Sequence, residues 1–403
     1  MKPRYYSLDV FRGATVALMI MVNNPGTWAY AFAPLKHAPW HGCTPTDLVF
    51  PFFLFAVGNA MSFVIPRLQE AGPSEFWKKV LKRMVLIFGI GLFLNWFPFV
   101  QWVDGSLQFR AWVNPANPES GVRILGVLQR IAIAYGLASV LAFYIKPRPL
   151  LYVSALLLLG YWALCAWLGG ADPYSLEGWF GTAIDKDILG IAHMYKGEGI
   201  PFDPEGLLST IPVVVQVIFG YLAGLFIKQQ GQVDWIWTKV PASKEPHFKL
   251  LAGFLVTGFI LLVGGWVWSL GFPLNKKIWT SSFVLYTTGL GMLSIGAMIW
   301  FIEVQGVKNK VTQFFDVFGK NPLFIFVMSG LLPKALALIH IDTGVDAEGK
   351  ATFTTPLGWF YKTVCAQIPG TPEIGSFVYA LCFLTLMWLL GYFLDKKKIY
   401  IKV

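Results

Sequence analysis

The sequence predicts an all-α, polytopic membrane protein with about ten transmembrane helices and both termini cytoplasmic. Three observations carry this expectation. First, hydrophobic residues make up 56% of the 403 residues and charged residues 13%, against about 45–50% and about 25% in soluble domains. So few charges cannot cover a surface built around that much apolar chain. Second, apolar runs of roughly 20 residues, the length needed to cross a bilayer, recur from end to end. Third, the connections between runs alternate between rich and poor in Lys and Arg, as the positive-inside rule requires. Together these exclude an ordinary cytosolic enzyme, a disordered chain and a disulfide scaffold. They also place the formal charge of +10 beside a lipid bilayer rather than on a nucleic acid.

The runs lie near 8–26, 46–66, 78–98, 124–145, 149–168, 207–227, 248–270, 279–302, 315–340 and 375–394. In the ninth, Gly319, Pro322, Gly330 and Pro333 predict a kink or break. With the N-terminus inside, 21 of the 32 Lys and Arg residues fall on the cytoplasmic side, and the opposite assignment leaves 11 there. The first run is read as a retained span. Ala31-Phe32-Ala33 resembles a cleavage site, but Asp9, Arg12 and Asn23-Asn24-Pro25 interrupt the apolar stretch. Residues 1–403 are read as a single transmembrane domain, without internal repeat or low-complexity linker. The longest outer segments, near 99–122, 169–206 and 341–374, direct the search for chemistry to the outer face.

Ionisable and amide side chains inside spans are expensive and mark candidate sites. Asp9 and Arg12 share a helix face, either as an interfacial ion pair or as part of an anion site at the cytoplasmic mouth. Asn23 and Asn24 end the same span, where capping accounts for one of the two amides. The loop Lys36-His37-Ala38-Pro39-Trp40-His41-Gly42-Cys43 follows. A histidine there can take or give a proton near neutrality. Pro39 and Gly42 argue against His37 and His41 forming a helical metal pair, no third ligand lies nearby, and no metal is expected. Asp47 stands where it could cap the second span.

Arg83 lies near the inner end of the third span. Arg130, about two turns into the fourth, must face protein or water. Asp203 and Glu205 could cap the sixth span. Lys276 and Lys277 lie on the outer side against the charge rule, followed by Trp279 as either a belt residue or a sugar-stacking platform. Cys165 and Cys382 fall in spans, and Cys43 and Cys365 could pair on an oxidising outer side.

Taken in order, Ser7–Gly13, Asn23, Lys36–Gly42 running into Asp47–Gly58, Arg123–Tyr135, Ile184–Tyr195, Asp203–Thr210, Asn275–Ser282 and Gly319–Asn321 resemble one family. It is the heparan-α-glucosaminide N-acetyltransferase family of transmembrane acyltransferases, in particular its bacterial members. The resemblance implies acetyl transfer from cytosolic acetyl-CoA to the amino group of a glucosamine-type sugar beyond the membrane. It implies a bacterial cytoplasmic (inner) membrane location and a possible homodimer. It further implies that His37 is catalytic and that Asn23 supports it. His41 falls where the animal enzymes have Asn, and the chain lacks their extra N-terminal lumenal portion. These departures weaken any inference from the resemblance that the acceptor is a heparan polymer.

Acetyl transfer needs a neutral amine, a base and donors for the developing oxyanion. His37 is the expected base, with Asp47 beside it. Asn23 can donate through its amide. Trp40, Asp203, Glu205, Lys276 and Trp279 are expected to bind the sugar. Arg12, Lys82 and Arg83 are expected at the nucleotide phosphates, with Arg130 deeper along a narrow polar tunnel for the pantetheine arm. Direct attack is preferred over an acetyl-His37 intermediate. Two alternatives remain open: a secondary transporter for amino sugars, and an acyltransferase acting on another extracytoplasmic glycan.

Overall fold

In the computed structural model, which describes residues 5–103, 105–229, 246–345 and 351–401, long helices occupy all ten expected ranges. They are α1 (Tyr6–Asn23), α2 (Val49–Ala71), α3 (Pro73–Trp96), α4 (Val127–Tyr144), α5 (Pro147–Leu168), α7 (Thr210–Lys228), α8 (Pro246–Trp268), α9 (Ser281–Met298, continued as a π-helix over Ile299–Val304), the pair α10 (Lys310–Lys320) and α11 (Pro322–Leu336), and α13 (Pro372–Lys396). A short α6 (Gly181–Leu189) and α12 (Pro356–Thr363) lie between spans. Among the described residues, seven helices are long and apolar enough to cross a membrane by themselves, or eight with the bent pair taken as one. α1 and α3 are of comparable length but carry Asp9 and Arg12, and Lys78, Lys79, Lys82 and Arg83, near one end. Lys2, Arg4, Lys239, Lys244 and Lys402, which enter the charge comparison, lie outside the described residues.

The ninth expected span is two helices that meet at 80°. Pro322 cannot donate to the ladder and disfavours helical backbone at the preceding residue, and Asn321 accordingly leaves the helix at φ −130°. The elbow is tied to both chain ends. Arg12 donates to the Gly319 carbonyl from Nε (2.9 Å) and Nη2 (2.6 Å), and Nη2 also reaches Asp9 at 2.6 Å. Lys320 pairs with Asp316 (2.7 Å) and Asp395 (2.9 Å). The Asn321 amide donates to the Ile399 carbonyl (3.0 Å) and accepts from the Ile401 N–H (2.8 Å). Of the two readings for Asp9 and Arg12, the ion pair is formed, and it serves as a structural clasp. The start of α1 and the end of α13 therefore meet on one side of the bundle, called inner here.

On the outer side, two of the three long segments, 99–122 and 341–374, form antiparallel hairpins. These are β1 (Val100–Val103) with β2 (Ser106–Phe109), β3 (Val113–Asn114) with β4 (Asn117–Gly121), and β5 (Ile341–Val345) with β6 (Ala351–Thr354). They decorate an all-α bundle. Cys43, Cys165, Cys365 and Cys382 are all free thiols, so the conditional Cys43–Cys365 pairing is not formed.

The core is set by close helix approach. α2 and α7 run parallel, and their backbones meet where side chains are missing. A methyl on Gly58 would lie 1.9 Å from the Val217 carbonyl oxygen, and one on Gly220 2.1 Å from that of Phe55. Small residues serve this purpose in lipid, where apolar surface gives no drive for helices to associate. Gln216 of α7 then donates to Thr288 of α9 (3.0 Å) and accepts from Thr287 (3.3 Å).

Gly58→Ala should therefore overpack this seam and cost about 1–3 kcal/mol. Gly160 has nothing within 4 Å of an added methyl, so Gly160→Ala should leave stability nearly unchanged. Thermal unfolding of both variants in detergent tests the contrast. Equal midpoints would refute the assignment of α2–α7 as the tight seam.

Candidate active site

The chain leaves α1 at Asn23 and crosses the outer face without regular helix, because Pro25, Pro34, Pro39 and Pro45 interrupt it. A single 3₁₀ turn at Pro45–Leu48 leads into α2. Thr44 caps that turn, and Asp47 is the third residue of the capping box. This corrects the expectation that Asp47 itself is the cap. Asp47 Oδ2 accepts from the N–H of Thr44 (3.0 Å), the Thr44 hydroxyl (3.0 Å) and the N–H of Ala38 (3.0 Å). Oδ1 faces Nδ1 of His37 at 2.6 Å. The Asp47 side chain is 2% exposed and that of His37 38%. An ionised carboxylate only accepts, so it assigns the imidazole proton to Nδ1 and leaves Nε2 as the acceptor toward the cavity.

The loop between α8 and α9 brings a cation to the same place. Asn275 Oδ1 accepts from the N–H groups of Lys277 (2.7 Å) and Ile278 (3.0 Å), and Trp279 takes a left-handed φ of +50°. This sharp reversal, unusual for a bulky residue, closes the turn from which Lys276 reaches His37. Lys276 Nζ lies 3.1 Å from Nδ1 and 3.4 Å from Nε2 of His37, and 3.6 Å from Asp47 Oδ1. Burial holds the Lys276 ammonium below the usual lysine range, against the opposing pull of Asp47 and Glu205. Lys277 instead pairs with Glu198 at 2.5 Å and donates to the Pro39 carbonyl at 2.7 Å.

A third wall comes from residues 195–209. Arg123 binds Asp203 through two bonds, Nε–Oδ2 at 3.0 Å and Nη2–Oδ1 at 2.6 Å, and also binds Glu205. Its guanidinium stands over the Tyr195 ring. Although burial opposes the charge, Glu205 and Asp203 raise the Arg123 pKa further above its ordinary value. The expectation that Asp203 or Glu205 caps the sixth span is thus corrected. Ser209 occupies that position, because the carboxylates are drawn to Arg123. Trp40 donates to the Tyr174 carbonyl at 2.7 Å and packs edge-on against Phe202.

These walls enclose a cavity of about 220 Å³ lined by His37, Trp40, Asp47, Arg123, Tyr195, Glu198, Glu205, Lys276, Lys277 and Trp279, among others. Of the expected residues, His37, Asp47, Trp40, Glu205, Lys276 and Trp279 meet there, and Asp203 stands behind it, bound to Arg123. Trp279 is 1% exposed, so it is a wall of the cavity and not a belt residue. Asn23 is not among the lining residues and lies exposed at the end of α1. Arg12, Lys82 and Arg83 lie toward the inner end. Lys82 is exposed, and Arg83 rests over the Tyr135 ring with its buried Nε lacking a partner. Arg130 is 1% exposed and sits beside the cavity. It donates to the Gly206 carbonyl (2.9 Å) and to Ser209, and its guanidinium lies over the Trp279 ring. Its Nε and Nη1 have no partner.

The sequence reading missed Arg123, Tyr195, Glu198 and Lys277 as lining residues. A signal was present for Lys277, which breaks the outer-side charge rule beside Lys276. None was present for Arg123, whose place at a span entrance reads as an ordinary boundary charge. Among the described residues, no group of three His, Cys, Asp or Glu side chains could hold a metal. Burial, aided by Asp47, pushes the Cys43 thiol up to about 12, which makes it a poor nucleophile at neutral pH.

Asp185 of α6 supports the 203–209 loop from behind, where its Oδ1 accepts from the Leu207 N–H at 2.9 Å. Burial pushes its carboxyl up to about 6. A carboxyl raised on folding costs stability as pH climbs from its unfolded value through its folded one. Asp185→Asn keeps an acceptor without the charge. It should raise the thermal midpoint by several degrees above pH 6, with the difference vanishing near pH 4. A pH series of melting curves checks this, and a constant difference across pH would refute it.

The catalytic-domain family model described as heparan-alpha-glucosaminide N-acetyltransferase matches residues 4–249. The chain is 26% identical to heparan-alpha-glucosaminide N-acetyltransferase of Homo sapiens over 379 residues, covering 81% of this chain and 52% of that protein. It is also 26% identical to the Mus musculus protein of the same name over 395 residues, covering 80% and 53%. The chain thus spans about half the length of these curated relatives. With the family model covering more than half of the chain, and the His37 loop and the Arg123–Asp203 clasp inside the matched region, this protein belongs to the heparan-alpha-glucosaminide N-acetyltransferase catalytic family.

Proposed function

We propose that this protein is a transmembrane acetyltransferase of a bacterial cytoplasmic membrane. It moves an acetyl group from cytosolic acetyl-CoA to the amino group of a glucosamine-type sugar on the extracytoplasmic side. The observation that carries this reading is the His37–Asp47 pair, held at 2.6 Å in a polar cavity at the end of the bundle opposite both termini. The names of its relatives support the reaction class.

The chemistry follows from the atoms present. A neutral sugar amine attacks the thioester carbonyl carbon and a C–N bond forms. The amine proton passes to Nε2 of His37, the C–S bond breaks, and the imidazolium returns that proton to the departing sulfur. Asp47 stays ionised and holds the Nδ1–H tautomer throughout, as a carboxylate does in a Ser-His-Asp triad. The cavity of about 220 Å³ has room for one sugar ring. Glu205 and Glu198 offer acceptors for its hydroxyls or ammonium, and Trp40 an apolar face.

Buried polar groups support a path for the donor's arm. The unpaired Nε and Nη1 of Arg130 lie beside the cavity, and Gln216, Thr287 and Thr288 are buried further along their helices. Asn59, with a buried unpaired amide nitrogen, lies about 15 Å from the start of α2 at 1.5 Å per residue. At the inner end, Lys82 and Arg83 are the candidates for the nucleotide phosphates, since Arg12 is engaged by Gly319 and Asp9.

His37→Ala should bind acetyl-CoA and fold as the wild type does while transfer falls by about 10²–10⁴-fold, the usual worth of a general base. Near-normal turnover would remove His37 from the mechanism. Acetyl-His37 formed from acetyl-CoA alone at a competent rate would replace direct attack by a two-step route.

A liposome assay separates the enzyme from a transporter. With labelled acetyl-CoA on one side and glucosamine on the other, labelled N-acetylglucosamine and released CoA are the expected products. Flux of unmodified sugar without CoA release would establish transport instead.

A further inference from the structure

An amine attacking a thioester builds negative charge on the carbonyl oxygen, and a hydrogen-bond donor must be waiting for it. The amide of Asn23 lies outside the cavity. Three cationic side chains line it, and two are already committed. Arg123 is bound by Asp203 and Glu205, and Lys277 by Glu198 at 2.5 Å.

Lys276 is different. The nearest carboxylate oxygen, Asp47 Oδ1, is 3.6 Å away and already faces His37 Nδ1 at 2.6 Å, while Oδ2 takes donors from Ala38 and Thr44. With Nδ1 protonated, the ring atom able to accept from Lys276 is Nε2, at 3.4 Å. That is the atom an incoming amine must approach to within about 3 Å. Substrate entry therefore displaces an ammonium that has three donors and whose carboxylate contact, Asp47 at 3.6 Å, is an ion pair beyond hydrogen-bond distance. An ammonium displaced from Nε2 stays on its flexible stem beside the atom that takes the proton.

We propose that Lys276 is the oxyanion donor of this site: a catalytic residue whose ammonium binds the carbonyl oxygen while His37 takes the proton. No group changes its bonding state at Lys276, which remains charged and only donates. The assignment rests on the acetyl-transfer reading above and adds a role to it. It also separates the adjacent lysines, with Lys276 serving chemistry and Lys277 holding the His37 loop to Glu198 and the 195–209 wall.

Steady-state kinetics of Lys276→Met, Lys276→Gln and Lys276→Arg in purified, folded protein test it, with acetyl-CoA and glucosamine as substrates. The Met variant should lose about 10²–10³-fold in kcat, the usual cost of one oxyanion donor. Its KM for glucosamine and its Kd for acetyl-CoA should stay within about threefold of wild type, since a donor engaged only at the transition state leaves ground-state binding alone. Gln, a neutral donor, should recover part of the loss and Arg more of it. If the Met variant does not fold, the ordering of wild type, Arg and Gln carries the test.

A kcat within threefold of wild type in Met or Gln would overturn the assignment. So would equal losses in Arg, Gln and Met, or a raised KM with kcat unchanged, which would make Lys276 a sugar ligand. Wild-type protein without acetyl transfer would instead sink the functional reading itself, so the two failures are distinguishable.

Discussion

The outer face is organised around one buried carboxylate. Asp47 closes the capping box that starts α2, anchors the Ala38 backbone, and meets both His37 and Lys276. A carboxylate taken out of water needs its lone pairs filled, and these partners come from the His37 loop, the start of α2 and the α8–α9 connection. The cost of burying Asp47 is thereby converted into geometry, because each partner must stand where the oxygen lone pairs point. Residues far apart in sequence converge on a space of about 220 Å³ for this reason.

The same logic repeats on the other wall and at the far end. Asp203, fully buried, is neutralised by Arg123 from the entrance of α4, and the loop that carries it is braced by Asp185 and Arg130. At the inner end, Lys320 bridges Asp316 and Asp395 while Arg12 caps the end of α10. The middle of the bundle relies on backbone contact through Gly58 and Gly220, and on a few buried hydrogen bonds. The charged residues, 13% of the chain, are thus concentrated where they fasten the two ends of the bundle.

Much of this was legible in the sequence. The residues alone marked the outer-loop histidines as able to exchange a proton near neutrality, and only the family resemblance separated His37 from His41. The break near Pro322 followed from its missing N–H. Lys276 was conspicuous because it violates the charge rule, although its partners were not evident. Asp203 and Glu205 read as helix caps, since capping is a local effect and Arg123 lies some 80 positions away. Asn23 was expected at the site through the family resemblance, and it is not among the residues lining the cavity.

The sequence by itself determined the all-α membrane class, the approximate spans, the location of the break and the short list of outer polar residues. Those properties depend on composition, periodicity and local backbone chemistry, which need no knowledge of distant neighbours. Only the tertiary structure decided which polar residues meet. It paired Asp47 with His37 at 2.6 Å, gave Asp203 to Arg123, and left Lys276 with the longer 3.6 Å contact to Asp47. Burial in a low-dielectric interior makes each charge seek the best available partner, and which partner is available depends on how the helices pack.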